Sequence, residues 1–182
     1  MRIIGGQHQR RLIHPPSSLP VRPTTDKAKE ALFNVLNNHF DFESVQVLDL
    51  FAGTGSISYE FASRGATEVV AVDNNSGCYR FIRQVKDQLD LDNLIPVRAD
   101  AFRYLSACST SFDIIFADPP YDLPEITRIP GEVFSRGLLS GSGWLIIEHG
   151  SDTSFDDHPF FIRKKKYSKV HFSFFEVTGQ TS

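Results

Sequence analysis

The chain has 182 residues, of which 41% are hydrophobic and 23% charged, so it is long enough for one domain with a substantial core and does not have the composition of a disordered protein. Two cysteines, Cys78 and Cys108, exclude a disulfide scaffold and a cysteine-rich zinc module, and the six histidines show no metal-ligand spacing. The net charge of −3 argues on its own against a nucleic-acid binder.

The charge is unevenly distributed along the chain. Residues 1–30 hold six basic residues against two acidic ones, and residues 163–171 hold five basic residues and no acid, whereas the remainder is strongly acidic. An acidic body with two basic segments is compatible with a polyanionic partner. No apolar run approaches the ~20 residues of a membrane helix, and the N-terminus lacks the apolar stretch of a signal peptide. We therefore expect a soluble cytoplasmic protein.

The first 40 residues form a basic N-terminal extension in this interpretation. Residues 2–6 and 10–14 are predicted to form a short β-hairpin, and residues 15–23, rich in Pro and Ser, a linker. A helix then begins after Thr24 or Thr25, because the apolar residues that follow recur at i, i+3 and i+4.

From residue 45 to residue 177, strand and helix patterns alternate. The predicted strands are residues 45–50, 69–72, 94–98, 112–117 and 144–148, with two more within 160–177. Helices are predicted from the first glycine loop to about residue 64, after Asp73, over 101–107 and over 124–137. This alternation predicts an α/β fold in which a largely parallel sheet carries helices on both faces, with ligands bound at the carboxyl ends of the strands.

A glycine loop follows the first of these strands, with the pattern Asp49-Leu-Phe-Ala-Gly-Thr-Gly55. A dinucleotide site requires a third glycine or alanine where this chain has Ser58, and a carboxylate at Asp49 would repel a pyrophosphate. S-adenosylmethionine carries a sulfonium and an ammonium group but no phosphate. The loop therefore favours S-adenosylmethionine over NAD.

Further acids follow the next strands. Asp73, followed by Asn74, occupies the usual position of a carboxylate that accepts both ribose hydroxyls. Asp100 can accept from the adenine amino group, with Phe102 close enough to pack on the ring. A structural alternative remains open, in which the glycines form a simple turn and the acids cap helices.

The motif Asp118-Pro119-Pro120-Tyr121 ends a buried strand. An exocyclic amine of a nucleobase is a poor nucleophile, because its lone pair is delocalised into the ring. The Asp118 carboxylate and the Pro119 carbonyl can each accept one N–H of such an amine, and Tyr121 offers a stacking surface worth ~1–3 kcal/mol. The alternative is a Pro-Pro turn with a surface tyrosine.

These two motifs resemble class I S-adenosylmethionine-dependent methyltransferases that act on exocyclic amines. Met1-Arg-Ile-Ile-Gly-Gly6 and the segment from Arg22 to Leu36, which begins Arg-Pro-Thr-Thr-Asp, further resemble the RsmD family, bacterial 16S rRNA guanine-N2 methyltransferases. The resemblance covers nearly the whole chain. It implies a Rossmann-like fold with a seven-stranded sheet, whose C-terminal hairpin is antiparallel to the rest, and one methyltransferase domain over 1–182. Its catalytic core would span 45–177.

The resemblance also implies a set of functional residues. The cofactor S-adenosylmethionine would be held by Asp49, Phe51, Gly53, Gly55, Asp73, Asn74, Asp100, Ala101 and Phe102. The target base would be held by Asp118, Pro119 and Tyr121, and RNA backbone by Arg10, Arg11 and Arg22. Aspartate at 73, where many relatives have glutamate, shortens the reach to the ribose. The implied substrate is guanine 966 of 16S rRNA in the small ribosomal subunit, and the implied enzyme is a monomer without a metal.

Three alternatives remain. An adenine-N6 methyltransferase on DNA or RNA uses the same Asp-Pro-Pro-Tyr chemistry, and only the Arg22–Leu36 segment and the lack of a DNA-recognition domain speak against it. A non-catalytic RNA-binding or ribosome-assembly module is disfavoured by the intact Asp49 and Asp118. An NAD-dependent reductase is disfavoured by Asp49 and Ser58.

The Arg163–Lys166 run is interpreted as a solvated strand edge, with RNA contact as the alternative interpretation.

Overall fold

The computed structural model describes residues 1–20, 25–167 and 169–177. Its centre is one seven-stranded sheet with the strand order β3-β2-β1-β4-β5-β7-β6. The strands are β1 (Gln46–Asp49), β2 (Glu68–Asp73), β3 (Leu94–Arg98), β4 (Phe112–Ala117), β5 (Leu139–His149), β6 (Phe161–Tyr167) and β7 (Val170–Glu176). The first five are mutually parallel, and β7 is antiparallel to both β5 and β6. The predicted sheet and its antiparallel C-terminal hairpin are confirmed.

In the described part of the chain, five α-helices pack on the sheet. They are α1 (Asp26–Leu36), α2 (Ser56–Ser63), α3 (Ser76–Gln88), α4 (Ala101–Ala107) and α5 (Ile129–Ser135). Alternate residues of each strand face opposite sides, so that Val47 packs with α1, α2 and α3 whereas Leu48 packs with α4 and α5. Strands buried on both faces explain the continuous apolar runs of the sequence.

The predicted N-terminal hairpin is shorter than expected, with an antiparallel pairing of residues 1–3 and 10–13 around the bridge between Arg2 and Leu12. Backbone hydrogen bonds join Met1 to Ile13, and Ile3 to both Arg10 and Arg11, whereas the residues that directly follow Ile3 bind α2. Ile4 and Gly5 donate their N–H groups to the carboxylate of Glu60, and Gln7 donates to the carbonyl of Ser63. The extension is therefore held to the core by α2. The helix that follows is confirmed, with the Thr25 hydroxyl accepting from the Ala28 N–H as its N-cap.

A buried ionic network lies between the extension, α1 and α2. Both Glu60 and Lys29 are almost completely shielded from solvent, and Lys29 Nζ lies 3.7 Å from Glu60. Lys29 Nζ also donates to the Arg2 carbonyl at 2.6 Å and to the Ser56 hydroxyl at 3.1 Å. Arg64 adds a second cation 2.9 Å from Glu60. Lys29 was counted in the basic N-terminal segment, but it is neutralised here and does not face a polyanion.

Two element boundaries also differ from the sequence prediction. The helix predicted over 124–137 is a 3-10 turn at Ile126–Arg128 followed by α5, because Pro130 is favourable only in the first turn of a helix. The strand predicted over 144–148 begins at Leu139, in a Ser/Gly-rich stretch without an apolar pattern. There the hydroxyl of Ser140 donates to Asp113 at 2.7 Å, which stabilises this irregular pairing with β4.

Candidate active site

A cleft of ≈ 830 Å³ opens at the carboxyl ends of the parallel strands. Its walls come from the loops after β1, β2, β3, β4 and β5, as predicted for a parallel sheet. The predicted residues that line it are Asp49, Phe51, Gly53, Asp73, Asn74, Asp100, Ala101, Phe102, Asp118, Pro119 and Tyr121. The structure thus brings together residues that are up to 72 positions apart in the chain.

Asp49 ends β1 at the floor of the cleft and is only 1% exposed. Its Oδ2 accepts from the hydroxyl of Ser58 at 2.6 Å, whereas its Oδ1 has no hydrogen-bond partner among the described residues. Ser58 therefore orients Asp49, a role that the absence of a third glycine at this position did not indicate. Burial raises the pKa of Asp49 to about 7, against the Ser58 hydrogen bond, which lowers it. A cationic ligand would favour the charged carboxylate here.

Asp73 connects the glycine loop to the next strand. One of its oxygens accepts from the Gly53 N–H and the other from the Asn75 N–H, both at 2.8 Å. Gly53 adopts a positive φ of 54°, which presents its N–H to this carboxylate. Burial raises the pKa of Asp73, while the two backbone N–H groups lower it. The carboxylate is thus fixed in position and can still accept from ribose hydroxyls, since each oxygen has two lone pairs.

Gly55 does not line the cleft, so close approach to a ligand does not explain this glycine. Its φ is 83°, and a Cβ there would lie 2.5 Å from Cζ of Tyr59. Glycine is required because α2 begins in the left-handed region and the Tyr59 ring packs against its Cα. Contact between Gly55 and the cofactor stays a prediction.

One side of the cleft is formed at the start of α4. The Asp100 side chain accepts from the Arg103 N–H at 3.0 Å and so serves as the N-cap, the structural role left open above. Asp100 also lines the cleft wall, so its carboxylate can still accept from an adenine amino group, as predicted from the sequence. Phe102 lines the same wall, and the guanidinium of Arg128 lies 5.4 Å from its ring centre.

The opposite end of the cleft carries a pair of acids on neighbouring strands. Ala117 of β4 pairs with Ile147 of β5, so Asp118 and Glu148 follow at the same level. Tyr121, half exposed, donates its hydroxyl to Glu148 Oε1 at 3.0 Å. Burial raises the pKa of Asp118 well above its usual range, and the charges of Glu148 and Asp49 add to this. Glu148 was not predicted as a site residue.

Burial likewise raises the pKa of Glu148 to about 7, although the Tyr121 hydrogen bond lowers it. The neighbouring His149 does not line the cleft. Its two ring nitrogens lie 2.8 Å from the Gly150 carbonyl and the Ser173 hydroxyl, and the residue is fully buried.

The predicted RNA-binding residues are distributed around the extension. Arg10 and Arg11 are exposed, and Arg22 lies outside the described residues. The extension borders the cleft, because the Thr54 hydroxyl donates to the Met1 sulfur at 3.9 Å and Pro20 and Thr25 line the wall.

The Arg163–Lys166 run lies on β6, the edge strand, as expected. There the Arg163 guanidinium stacks over Trp144 and Phe174, and Lys164 pairs with Asp156. Both contacts favour a role in packing.

The family model described as Conserved hypothetical protein 95 matches residues 1–176. The chain belongs to this family, the RsmD methyltransferases. A relative from Escherichia coli strain K12, named Ribosomal RNA small subunit methyltransferase D, is 32% identical over 81% of this chain and 71% of its own length. The Buchnera aphidicola (subsp. Baizongia pistaciae) protein of the same name is 25% identical over 96% and 91%. A solved Escherichia coli structure described as a methyltransferase, yhhF, superposes with a TM-score of 0.86 at 25% identity, over 98% and 99% of the two chains.

S-adenosylmethionine, the cofactor of such methyltransferases, fits the cleft chemically. The unpartnered Oδ1 of Asp49 is a buried carboxylate oxygen that suits the cationic methionine end of the cofactor. Asp73 is held in position by the N–H of Gly53, in the glycine loop that follows Asp49. Among the described residues, no group of His, Cys, Asp and Glu is arranged to hold a metal ion.

None of the helices in residues 1–20, 25–167 and 169–177 is long and apolar enough to cross a bilayer.

Proposed function

We propose that this RsmD-family chain transfers the methyl group of S-adenosylmethionine to the exocyclic N2 amine of a guanine in 16S rRNA. One observation carries the proposal: Asp118, Pro119 and Tyr121 lie in the same cleft as Asp49 and Asp73. A cofactor-binding loop and an amine-binding motif thus face one cavity. The names of the RsmD relatives support the substrate class.

The residues of the Asp-Pro-Pro-Tyr motif activate the amine. Asp118 and the Pro119 carbonyl each accept one N–H of the N2 amine, which turns its lone pair away from the ring and toward the methyl group. When bound, S-adenosylmethionine supplies an activated methyl group on a sulfonium. The N–C bond forms as the C–S bond breaks, the bonding pair returns to sulfur, and the amine becomes cationic. Asp118 stabilises this charge and then accepts the proton.

Guanine reaches the cleft only when it is unpaired or flipped out of a helix. The exposed ring of Tyr121 lies against Gly150, where a Cβ would be only 3.3 Å from the ring. This ring provides the surface on which the base stacks. Following the resemblance, we propose guanine 966 of the small subunit as the target, a monomeric enzyme, and action in the cytoplasm where that subunit resides.

The N-terminal extension supplies the RNA contacts in this proposal. Arg10 and Arg11 are exposed on a segment that borders the cleft. Replacing both with Gln should weaken RNA binding regardless of sequence and lower the slope of log K against log salt by about 1–2. Titrations at several salt concentrations measure this slope. An unchanged slope would remove these residues from the interface.

Transfer of label from S-adenosylmethionine tests the function directly. The protein is incubated with small ribosomal subunits that lack the modification, and with free rRNA and DNA in parallel, and the labelled nucleosides are identified. N2-methylguanosine from rRNA is the expected product. Label in N6-methyladenine would overturn the substrate and retain the Asp118 chemistry. Cofactor binding without any transfer would favour a non-catalytic module.

A further inference from the structure

Glu148 is a cleft carboxylate with no role in the proposed cofactor contacts or amine chemistry. It ends β5, is 4% exposed, and its Oε1 accepts from Tyr121. Its Oε2 is shielded from solvent and has no hydrogen-bond partner among the residues that the structure describes. A buried carboxylate oxygen without a partner is costly, so this atom is poorly explained by stability of the fold alone. It is suited to a donor on a ligand.

The position of Glu148 indicates which part of a ligand it meets. Because Ala117 pairs with Ile147, Asp118 and Glu148 occupy adjacent positions on neighbouring strands, and both line the cleft. Strands lie about 4.8 Å apart. Two carboxyl groups at this spacing can bind two adjacent N–H donors on the edge of one base.

Guanine and adenine differ in this second group. Beside its exocyclic amine, guanine has N1–H, a donor, whereas adenine has an unprotonated N1, an acceptor. Asp118 and Pro119 contact only the amine and cannot distinguish the two bases. We propose that Glu148 Oε2 accepts the N1–H of the target guanine, and that Glu148 is thereby the residue that selects guanine over adenine. This inference rests on the proposed function.

Tyr121 connects this recognition to stacking. Its hydroxyl donates to Glu148 Oε1. This one hydrogen bond fixes the stacking ring and the Glu148 carboxylate relative to each other, and so positions the free Oε2. An adenine stacked on the ring would direct its N1 lone pair at Oε2 and leave that oxygen unpaired. A site that loses such a buried hydrogen bond rejects the wrong ligand strongly, by factors of up to about 10⁴.

The base analogue 2-aminopurine tests the proposal, because it has the C2 amine of guanine but an unprotonated N1. Small-subunit particles are reconstituted with rRNA that carries either guanine or 2-aminopurine at the methylated position. For both, kcat/KM is measured at about pH 8.5, above the raised pKa of Glu148, so that its carboxylate is ionised and can only accept. We expect the wild-type enzyme to prefer guanine by about 100-fold or more. In Glu148→Gln the amide can donate to N1 of 2-aminopurine, so the preference should fall at least about 10-fold. 2-Aminopurine also lacks the O6 of guanine. This loss affects the wild type and Glu148→Gln alike, so it cancels when their preferences are compared.

The controls separate recognition from folding. Glu148→Gln should bind S-adenosylmethionine with wild-type affinity in calorimetry. Asp122→Asn removes an exposed carboxylate beside Tyr121 that does not line the cleft, and should leave the preference unchanged. Glu148→Asp, which retracts the carboxylate by one methylene, should also lower the preference and serves if the Gln variant unfolds.

Two results would overturn the inference in different ways. An equal guanine preference in wild type and in both Glu148 variants would exclude Glu148 as the selecting residue and leave the proposed function intact. A wild-type enzyme that methylates neither particle would refute the proposed function, and the inference with it.

Discussion

Two groups of buried acids in this fold differ in whether all of their carboxylate oxygens have hydrogen-bond partners. Between the extension and α2, each oxygen of Glu60 accepts from a backbone N–H and also faces a cation, Arg64 or Lys29. In the cleft, Asp49 and Glu148 are buried to a similar degree, yet each has one oxygen without a partner among the described residues. Burial alone does not separate structural from functional acids. Among Glu60, Asp49 and Glu148, the completeness of the hydrogen bonds does.

The largest expected effect is on the stability of the satisfied group. Glu60→Ala leaves Lys29 and Arg64 without their shared anion and should lower the free energy of unfolding by about 3–5 kcal/mol. Urea denaturation measures this. Glu132→Ala is the matched control, since Glu132 also binds two arginines, Arg128 and Arg136, but near the surface, and should cost about 1 kcal/mol or less. Equal losses would contradict the distinction.

Activity should respond most strongly to changes in the cleft. Asp118→Ala removes an acceptor for the amine and should lower the rate of methyl transfer by about 10²–10³-fold, or ~3–4 kcal/mol. Asp118→Asn keeps one acceptor oxygen and should lose less. Single-turnover transfer of label gives the rate, and calorimetry should show unchanged cofactor affinity. Wild-type rates in the Ala variant would exclude the assigned role.

The pH dependence of stability should report the buried carboxyl of Glu148. Because the pKa of Glu148 is raised from 4.5 to about 7 by folding, the wild type loses stability as pH rises through this range, where the buried carboxyl must ionise. Glu148→Gln escapes this loss. Its stability relative to wild type should increase between pH 4.5 and pH 8 by on the order of 3 kcal/mol. Denaturation at pH 5 and pH 8 tests the sign, and a constant difference would refute it.

A smaller effect is expected at Asp73, which resembles Glu60 in its hydrogen bonds and Glu148 in its position. Its oxygens are satisfied by Gly53 and Asn75, but it also lines the cleft. Asp73→Asn removes the charge and one acceptor and should weaken cofactor binding about 10-fold, or ~1.4 kcal/mol, in calorimetry. The exposed Asp92→Asn should bind as wild type does. Unchanged affinity in Asp73→Asn would count against the ribose contact.

Much of this site could be predicted from local patterns. Apolar strands that end in Asp49, Asp73 and Asp118 place these acids at one edge of a parallel sheet, and the structure brings them together there. The count of seven strands and the antiparallel direction of the C-terminal hairpin came from the family resemblance, not from periodicity. The cleft lining includes eleven of the twelve residues predicted for cofactor and base, with Gly55 as the exception.

The failures have a common physical cause. Glu148 and His149 are adjacent at the end of β5, and only the register with β4 decides that Glu148 faces the cleft. Lys29 and Glu60 are 31 positions apart, so their pairing has no local signal. At Gly55 the pattern correctly indicates a glycine, but the contact that requires it, with Tyr59, is an internal one. Local patterns identify residue types, whereas long-range contacts assign their roles.

The sheet order has a consequence for synthesis of the chain. The final strand, β7, lies between β5 and β6, so β6 has no partner and the edge of β5 stays open until Val170–Glu176 has emerged from the ribosome. Strands β1 to β4 can associate earlier, since they pair only with one another and with β5. The half of the cleft formed by Asp49 and Asp73 can therefore assemble during translation. The strand that carries Glu148 gains its second neighbour only at the end, so a chain truncated before residue 170 would expose an apolar edge prone to aggregation.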